Sequence, residues 1–268
     1  SARGRLTALS YAMAEHIFVT NFDCLENAYT LAGDKSKVSM MNHPYDEQKE
    51  VVSKGALDLR EQLLDETNAE FLIFFPTRHD WVEGKGFNDK ANDILIRSIA
   101  LIHRQNNKRV GIILCEWGNN IDETRKLVEA LGLSEYVKWM QPMPFSQFAV
   151  YCKACDVVAD QFKLGSFGGI FFKALSLGVA VCSFIEEDQF MNIYKEIPPF
   201  INGRTPESLA DSLSAVLSDD VGRRKLGEKA RAWITQHHAG SDTAKIQISA
   251  YERYLANCES SSNSVAQE

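Results

Sequence analysis

Apolar residues along this chain follow two alternating patterns. Short, almost uniformly apolar runs recur at 17–21 (IFVTN), 38–42 (VSMMN), 70–76 (EFLIFFP), 109–115 (RVGIILC), 136–140 (YVKWM), 156–159 (DVVA) and 179–184 (VAVCSF), each bounded by polar or turn residues. Runs of this length without a polar face suit strands buried on both sides, as in a parallel sheet. Longer amphipathic stretches separate them, at about 45–66, 88–105, 120–132, 145–154, 167–177, 206–217 and 220–237. Ala91, Leu95, Ile99 and Ile102 fall on one face at helical spacing. Thr205-Pro206-Glu207 reads as an N-cap followed by proline at the first helical position. Ser241 to Ala256 reads as a last helix carrying Ile246, Ile248, Tyr251 and Leu255. The alternation predicts an α/β fold with a doubly wound, Rossmann-like parallel sheet and right-handed crossovers.

Residues 1–35 fit the alternation less well: a helix end and a strand over Ala12–Phe22, then a helix over Cys24–Ala32. They read as the end of another domain plus a linker. The sheet domain is placed at 36–240, a returning helix at 241–258 and a polar, disordered tail at 259–268.

Composition narrows the function classes. The 268 residues suit one large α/β domain, or one domain plus a fragment. A formal net charge of -7 supplies no basic face for phosphate neutralisation, which argues against a nucleic-acid partner. No apolar run reaches the roughly 18 residues that a membrane span needs, and residues 1–20 lack a signal-peptide pattern. Cys115 and Cys182 lie in apolar strand-like runs, where a free thiol acts as a small hydrophobe. Scattered cysteines of this kind fit a reducing compartment, hence a cytoplasmic location. Cys152-Lys153-Ala154-Cys155 spells C-x-x-C without the second ligand pair of a zinc site, so a structural role is expected. The six histidines, at 16, 43, 79, 103, 237 and 238, form no metal-binding spacing. His237-His238 ends a helix, where the dipole favours a cation. No G-x-S-x-G elbow of a serine hydrolase is present.

In an open parallel sheet, ligands bind beyond the carboxyl ends of the strands. The segment after 70–76 carries Arg78, Lys85, Gly84 and Gly86. Arginine and lysine suit a diphosphate, and the glycines allow close backbone approach; a solvated charged loop is the plainer reading. After 156–159 come Asp160, Gln161, Gly165, Ser166, Phe167, Gly168 and Gly169, opening a helix. Glycines at such a junction present backbone N–H groups at the positive helix end, an anion site, although tight helix–strand packing calls for glycine too. The spacing is not that of a dinucleotide fingerprint. Trp117 and Met140 are candidate contacts to a nucleotide base, with Gln141 reading its edge; simple packing is the commoner fate of a tryptophan.

Taken in order, these loops resemble the donor-binding, C-terminal domain of the retaining GT-B glycosyltransferases (group 1, glycogen-synthase-like), closely over 68–257 and loosely over 8–67. His16–Asp23 is similar to the last strand of that family's N-terminal acceptor domain, and the segment up to Asn42–Glu47 to the interdomain crossing. Arg78 and Lys85 resemble the basic pair that holds the donor diphosphate. Asp156–Asp160 through Gly178–Val181 resembles the signature strand–loop–helix–strand. Two positions depart. The family's first glutamate corresponds to Gly165, as in a branch with a D-Q-x-x-x-G pattern, and its second, which accepts the ribose hydroxyls, to Lys173. Lysine has three donors and no acceptor.

The resemblance implies transfer of a sugar from a nucleoside diphosphate sugar to an acceptor with retention of configuration. It implies no cofactor, with Arg78 and Lys85 as leaving-group stabilisers and Ser166, Phe167 and Gly168 amides as phosphate or sugar donors. The acceptor, a glycan, lipid or small molecule, would be held mainly by an upstream domain, through which peripheral membrane attachment stays open. Gly165 and Lys173 motivate an alternative, a non-catalytic nucleotide-binding or scaffold module. An NDP-sugar epimerase is a third reading.

Overall fold

The computed structural model describes residues 2–45, 55–82, 89–106, 108–166 and 168–265. The chain divides into two compact units, one of Ser1–Gln48 with Thr235–Glu268 and one of Lys49–Ile234.

The smaller unit begins with helix α1 (Ala2–Met13), strand β1 (Ile17–Val19), helix α2 (Leu25–Ala32) and strand β2 (Val38–Met40). β1 and β2 pair in parallel, Ile17 opposite Val38 and Val19 opposite Met40. Val19, Ala28, Ala32 and Val38 form their small core. Helix α2 stops at Gly33, whose φ of 71° provides the left-handed cap that a side chain would resist. The run at 38–42 is therefore a strand, as its composition predicts, but it belongs to this unit and not to a sheet domain starting at 36.

The larger unit holds, in chain order, α3 (Ala56–Glu66), β3 (Phe71–Phe75), α4 (Asn92–Asn106), β4 (Val110–Cys115), α5 (Ile121–Ala130), β5 (Val137–Met140), α6 (Phe145–Ala154), β6 (Val157–Ala159), α7 (Gly169–Ser176), β7 (Ala180–Ser183), α8 (Glu187–Tyr194), β8 (Ile201–Asn202) and α9 (Pro206–Leu217). Its six strands form one parallel sheet in the order β5-β4-β3-β6-β7-β8. This is the doubly wound, Rossmann-like α/β architecture that the alternation predicts. Leu72–Phe75 and Val110–Leu114 are wholly buried, in keeping with helices on both faces. On one face α4 packs against α9 and α5; α3 packs against α6. Leu95, Ile99 and Ile102 of α4 have no exposed surface, and each such burial stabilises by about 1.5–3 kcal/mol. Thr205 caps α9 in a capping box with Ser208.

Two elements are absent from the sequence reading: α8, and β8, which has only two residues. The unit boundary falls inside helix α10 (Asp220–His238). The last helix, α11 (Gly240–Val265), continues through residues whose polar composition reads as a disordered tail. The described cysteines at 24, 115, 152, 155 and 182 are free thiols. Burial pushes the Cys152, Cys155 and Cys182 thiols well up, so they are inert hydrophobes. His238 departs from its expected role as a cation at a helix end. Burial lowers it to about 4, and Nδ1 meets the His43 carbonyl at 3.1 Å, so the imidazole is neutral.

Candidate functional site

Strand order decides where a ligand can sit. The chain lays down β3, β4 and β5 outward in one direction, then returns to place β6 on the other side of β3. The crevice of such a sheet opens at that reversal, above the carboxyl ends of β3 and β6. The loops that leave there are the Arg78 loop and the 160–169 loop. Thr77 Oγ1 ties them by donating to the Asp160 carbonyl at 2.9 Å.

In the first loop, Arg78 is one-third exposed, and its Nε pairs with Asp80 at 2.8 Å. The other oxygen of Asp80 accepts from the backbone and side-chain amides of Asn119, both at 2.9 Å. Asp80 thus orients the guanidinium and ties this loop to the one after β4. His79 is buried between them. Its Nε2 lies 3.0 Å from the Cys115 carbonyl, which can only accept, so Nε2 carries the proton. Its Nδ1 meets Thr124 Oγ1 at 3.1 Å. Burial lowers His79 to about 4, so the ring is a neutral strut. Gly118, with a φ of 110°, lies against the His79 backbone, where an added Cβ would come within 2.4 Å of the amide nitrogen. Lys85, Gly84 and Gly86 lie outside the described residues.

In the second loop, Asp160 and Gln161 point inward. Asp160 Oδ2 accepts the Gly168 amide at 2.8 Å. Burial raises this carboxyl to about 6, offset in part by the Lys90 cation and the Gly168 and Phe171 amides. Gln161 donates to the Ser166 carbonyl at 2.8 Å and accepts from Lys90 Nζ at 2.7 Å. Both side chains are therefore engaged in bracing the loop. The Gly168 amide, expected to face a phosphate, is bonded to Asp160. Phe167 lies outside the described residues. Gly169 opens α7, and an added Cβ there would meet nothing within 4 Å, so its backbone borders open space.

Gly165 holds a φ of 68°, and a Cβ on it would come within 2.5 Å of Glu186 Cγ. Glu186, just after β7, therefore fills the space that a side chain at 165 would need. Its carboxylate is half-exposed and lies 3.6 Å from Arg204. Neither Lys90 nor Glu186 stands in a motif, and nothing in the sequence marks either.

Beside these loops lies a pocket of about 250 Å³ lined by Pro76, Trp117, Met143, Phe145, Ile170 and Lys173, among others. The Trp117 indole N–H donates to the Pro76 carbonyl at 2.8 Å. Lys173 Nζ lies 5.7 Å above the Phe145 ring, and no ion-pair partner for it is found among the described residues. Met140 does not line this pocket, and Gln141 lines an adjoining open one with Glu116, Asn119 and Arg125. Trp117 and Lys173 thus line one pocket; Met140 and Gln141 do not, although both bond Glu116 beside Trp117. Among the described residues no group of three or more metal-ligating side chains is found, and no helix is long and apolar enough to cross a membrane.

No family model matches the chain. It is 25% identical over 221 residues to the D-inositol 3-phosphate glycosyltransferase of Corynebacterium glutamicum, covering 77% of this chain and 53% of that protein. It is 28% identical over 175 residues to the protein of the same name from Nocardia farcinica, covering 62% and 38%. The chain spans about half the length, or less, of these curated relatives. Among solved structures, Anabaena HepE in complex with UDP and glucose superposes with a TM-score of 0.71 at 18% identity, covering 92% of this chain and 66% of that one. The C-terminal domain of a group 1 glycosyl transferase (LpcC) from Francisella tularensis superposes at 0.54 and 15% identity, covering 73% of this chain and 98% of that one. The resemblance to group 1 GT-B glycosyltransferases read from the loops thus has counterparts in sequence relatives and in solved folds.

Proposed function

We propose that this chain supplies the donor site of a retaining glycosyltransferase, which moves a sugar from a nucleoside diphosphate sugar to an acceptor held mainly by another domain. The observation that carries this reading is the meeting of the Arg78 loop and the 160–169 loop at the reversal of strand order. The names of the relatives and the UDP bound by HepE support the ligand class. The donor is a substrate, and the reading calls on no cofactor.

In the reaction, the bond between the anomeric carbon and the diphosphate oxygen breaks. The acceptor oxygen bonds to that carbon from the same face, and its proton passes to the leaving diphosphate. Negative charge grows on the diphosphate, so preorganised cations and backbone amides aimed there lower the barrier. Arg78, oriented by Asp80, and Lys85 are assigned this task, with the Ser166 and Phe167 amides; the Gly168 amide is taken by Asp160. Trp117 offers a flat face to the base. Glu186 is placed to accept sugar hydroxyls in the space that Gly165 leaves. The test is Arg78→Ala in the intact enzyme: transfer falls by about 100-fold with an unchanged circular-dichroism spectrum. Unchanged turnover would remove Arg78 from the site.

Lys173 favours a second reading, a module that binds nucleotide without transferring sugar, because it offers donors where the resemblance calls for an acceptor. Calorimetry with UDP, GDP and ADP separates these ideas from a scaffold, for which none binds.

A further inference from the structure

At the amino ends of the same strands, opposite the donor crevice, lies a second pocket of about 390 Å³. Arg60 of α3, Lys153 of α6, and Arg223 and Arg224 of α10 line it, against the carboxylates of Asp156 and Asp220. In a chain of net charge -7 this is a local excess of cations.

Asp156, buried just before β6, fixes two of them. Its Oδ1 accepts from Arg60 at 3.1 Å and lies 2.8 Å from Arg223. Its Oδ2 accepts from Arg60 at 3.0 Å and from the Leu72 amide at 2.8 Å. One carboxylate thus holds two guanidiniums and has no lone pair left for further cations. Asp220, largely solvated, meets Arg223 at 2.6 Å. Lys153 and Arg224 have no ion-pair partner among the described residues. Burial, and then the Arg231 cation, lower the Lys153 pKa. Arg231 also packs beside Gly178, which lines the pocket, its Cδ 3.7 Å from where a Cβ would stand. Cations crowded together at this cost gain from an anion that joins them. The pocket volume suits a small organic molecule.

We propose that this pocket is a second anion site, which takes a phosphate monoester between the fixed Arg60–Arg223 pair and the free ends of Lys153 and Arg224. It is separate from the donor crevice and does not depend on the proposed transfer. The ester is either a soluble metabolite or a lipid headgroup; the phosphate chemistry is shared.

The experiment is calorimetric titration of the whole chain with glycerol 3-phosphate, beside flotation with phosphatidic acid or phosphatidylcholine vesicles. Glycerol 3-phosphate, or phosphatidic acid vesicles alone if the source is a lipid, should bind, while phosphatidylcholine should not. Lys153→Ala and Arg224→Ala should each weaken binding by about tenfold, and Lys153→Arg should retain it. Arg78→Ala should leave this binding unchanged, whatever it does to nucleotide binding. Binding by neither probe overturns the proposal. So does binding that survives Lys153→Ala with Arg224→Ala, or that is lost with Arg78→Ala.

Discussion

His79 shows how a residue among candidate site residues can serve as a support. Its ring is buried, protonated on Nε2 towards the Cys115 carbonyl, and packed 5.6 Å from the Trp139 ring. Removing it leaves a cavity and strips the Cys115 carbonyl of one of its two hydrogen bonds, the other coming from the Trp117 amide, so His79→Ala should cost about 2–4 kcal/mol in urea unfolding. A loss below about 0.5 kcal/mol, the usual size for a surface change, would show that the ring carries no such load. Lys173 tests the ligand side. If the ribose lies over α7, Lys173→Glu restores an acceptor and should tighten UDP by about tenfold in calorimetry. Weaker binding in that variant would mean that the lysine meets an anion. The residue types at 78, 160, 161 and 173 were legible in the sequence. The inward direction of Asp160 and Gln161 was not, because a carboxylate in a loop reads the same whether it faces a ligand or its own backbone.

At the scale of elements, the two loops depend on glycines whose Cβ space is taken. A Cβ on Gly168 would stand 2.2 Å from Asp160 Oδ2. Gly168→Ala must therefore displace either the loop or the buried carboxylate. The expected result is a loss of about 1–3 kcal/mol, with weakened UDP binding in the same preparation; unchanged affinity would detach the 165–169 loop from the nucleotide. Glycine at a strand–helix junction was readable as a signal, yet not which of its two causes applied. The structure shows the packing cause at Gly168, which lies against Asp160, while Gly169 borders open space. Element detection failed for two elements. β8 has two residues after Pro198-Pro199, too few for a period to declare itself, and α8, no shorter than α2 or α7, opens on the polar run Glu187-Asp188-Gln189.

For the whole molecule, titration should separate the two units. Burial lowers His16, His43 and His238 in the smaller unit. His238 falls to about 4, so it protonates first in the unfolded chain, near the ordinary 6.5, and its contribution to stability is lost as pH falls from 6.5 towards 4. In the larger unit His79 and His103 act in the same sense. Asp160, raised to about 6, acts in the opposite one: its contribution is present below the ordinary 3.8 and is lost as pH rises through 6. Acidification from about pH 7.5 to about pH 5 should therefore cost the smaller unit more. Hydrogen exchange, corrected for its intrinsic pH dependence, should show protection falling further in α2 than in α4; the reverse order would refute the assignment of these buried groups.

The sequence by itself determined the class of fold, most element positions and the loops that could hold an anion. Those are local properties: an apolar period reports which face of a segment is buried, and glycine or a cap reports where it ends. Only the tertiary structure decided that β2 pairs with β1 and that β6 lies beside β3. Only it, too, set Glu186 against Gly165 and gathered Arg60, Lys153 and Arg223 at the far end of the sheet. Each of these rests on contacts between residues distant in the chain. Several strand orders bury the same apolar runs, and the choice among them lies in packing that no single segment encodes.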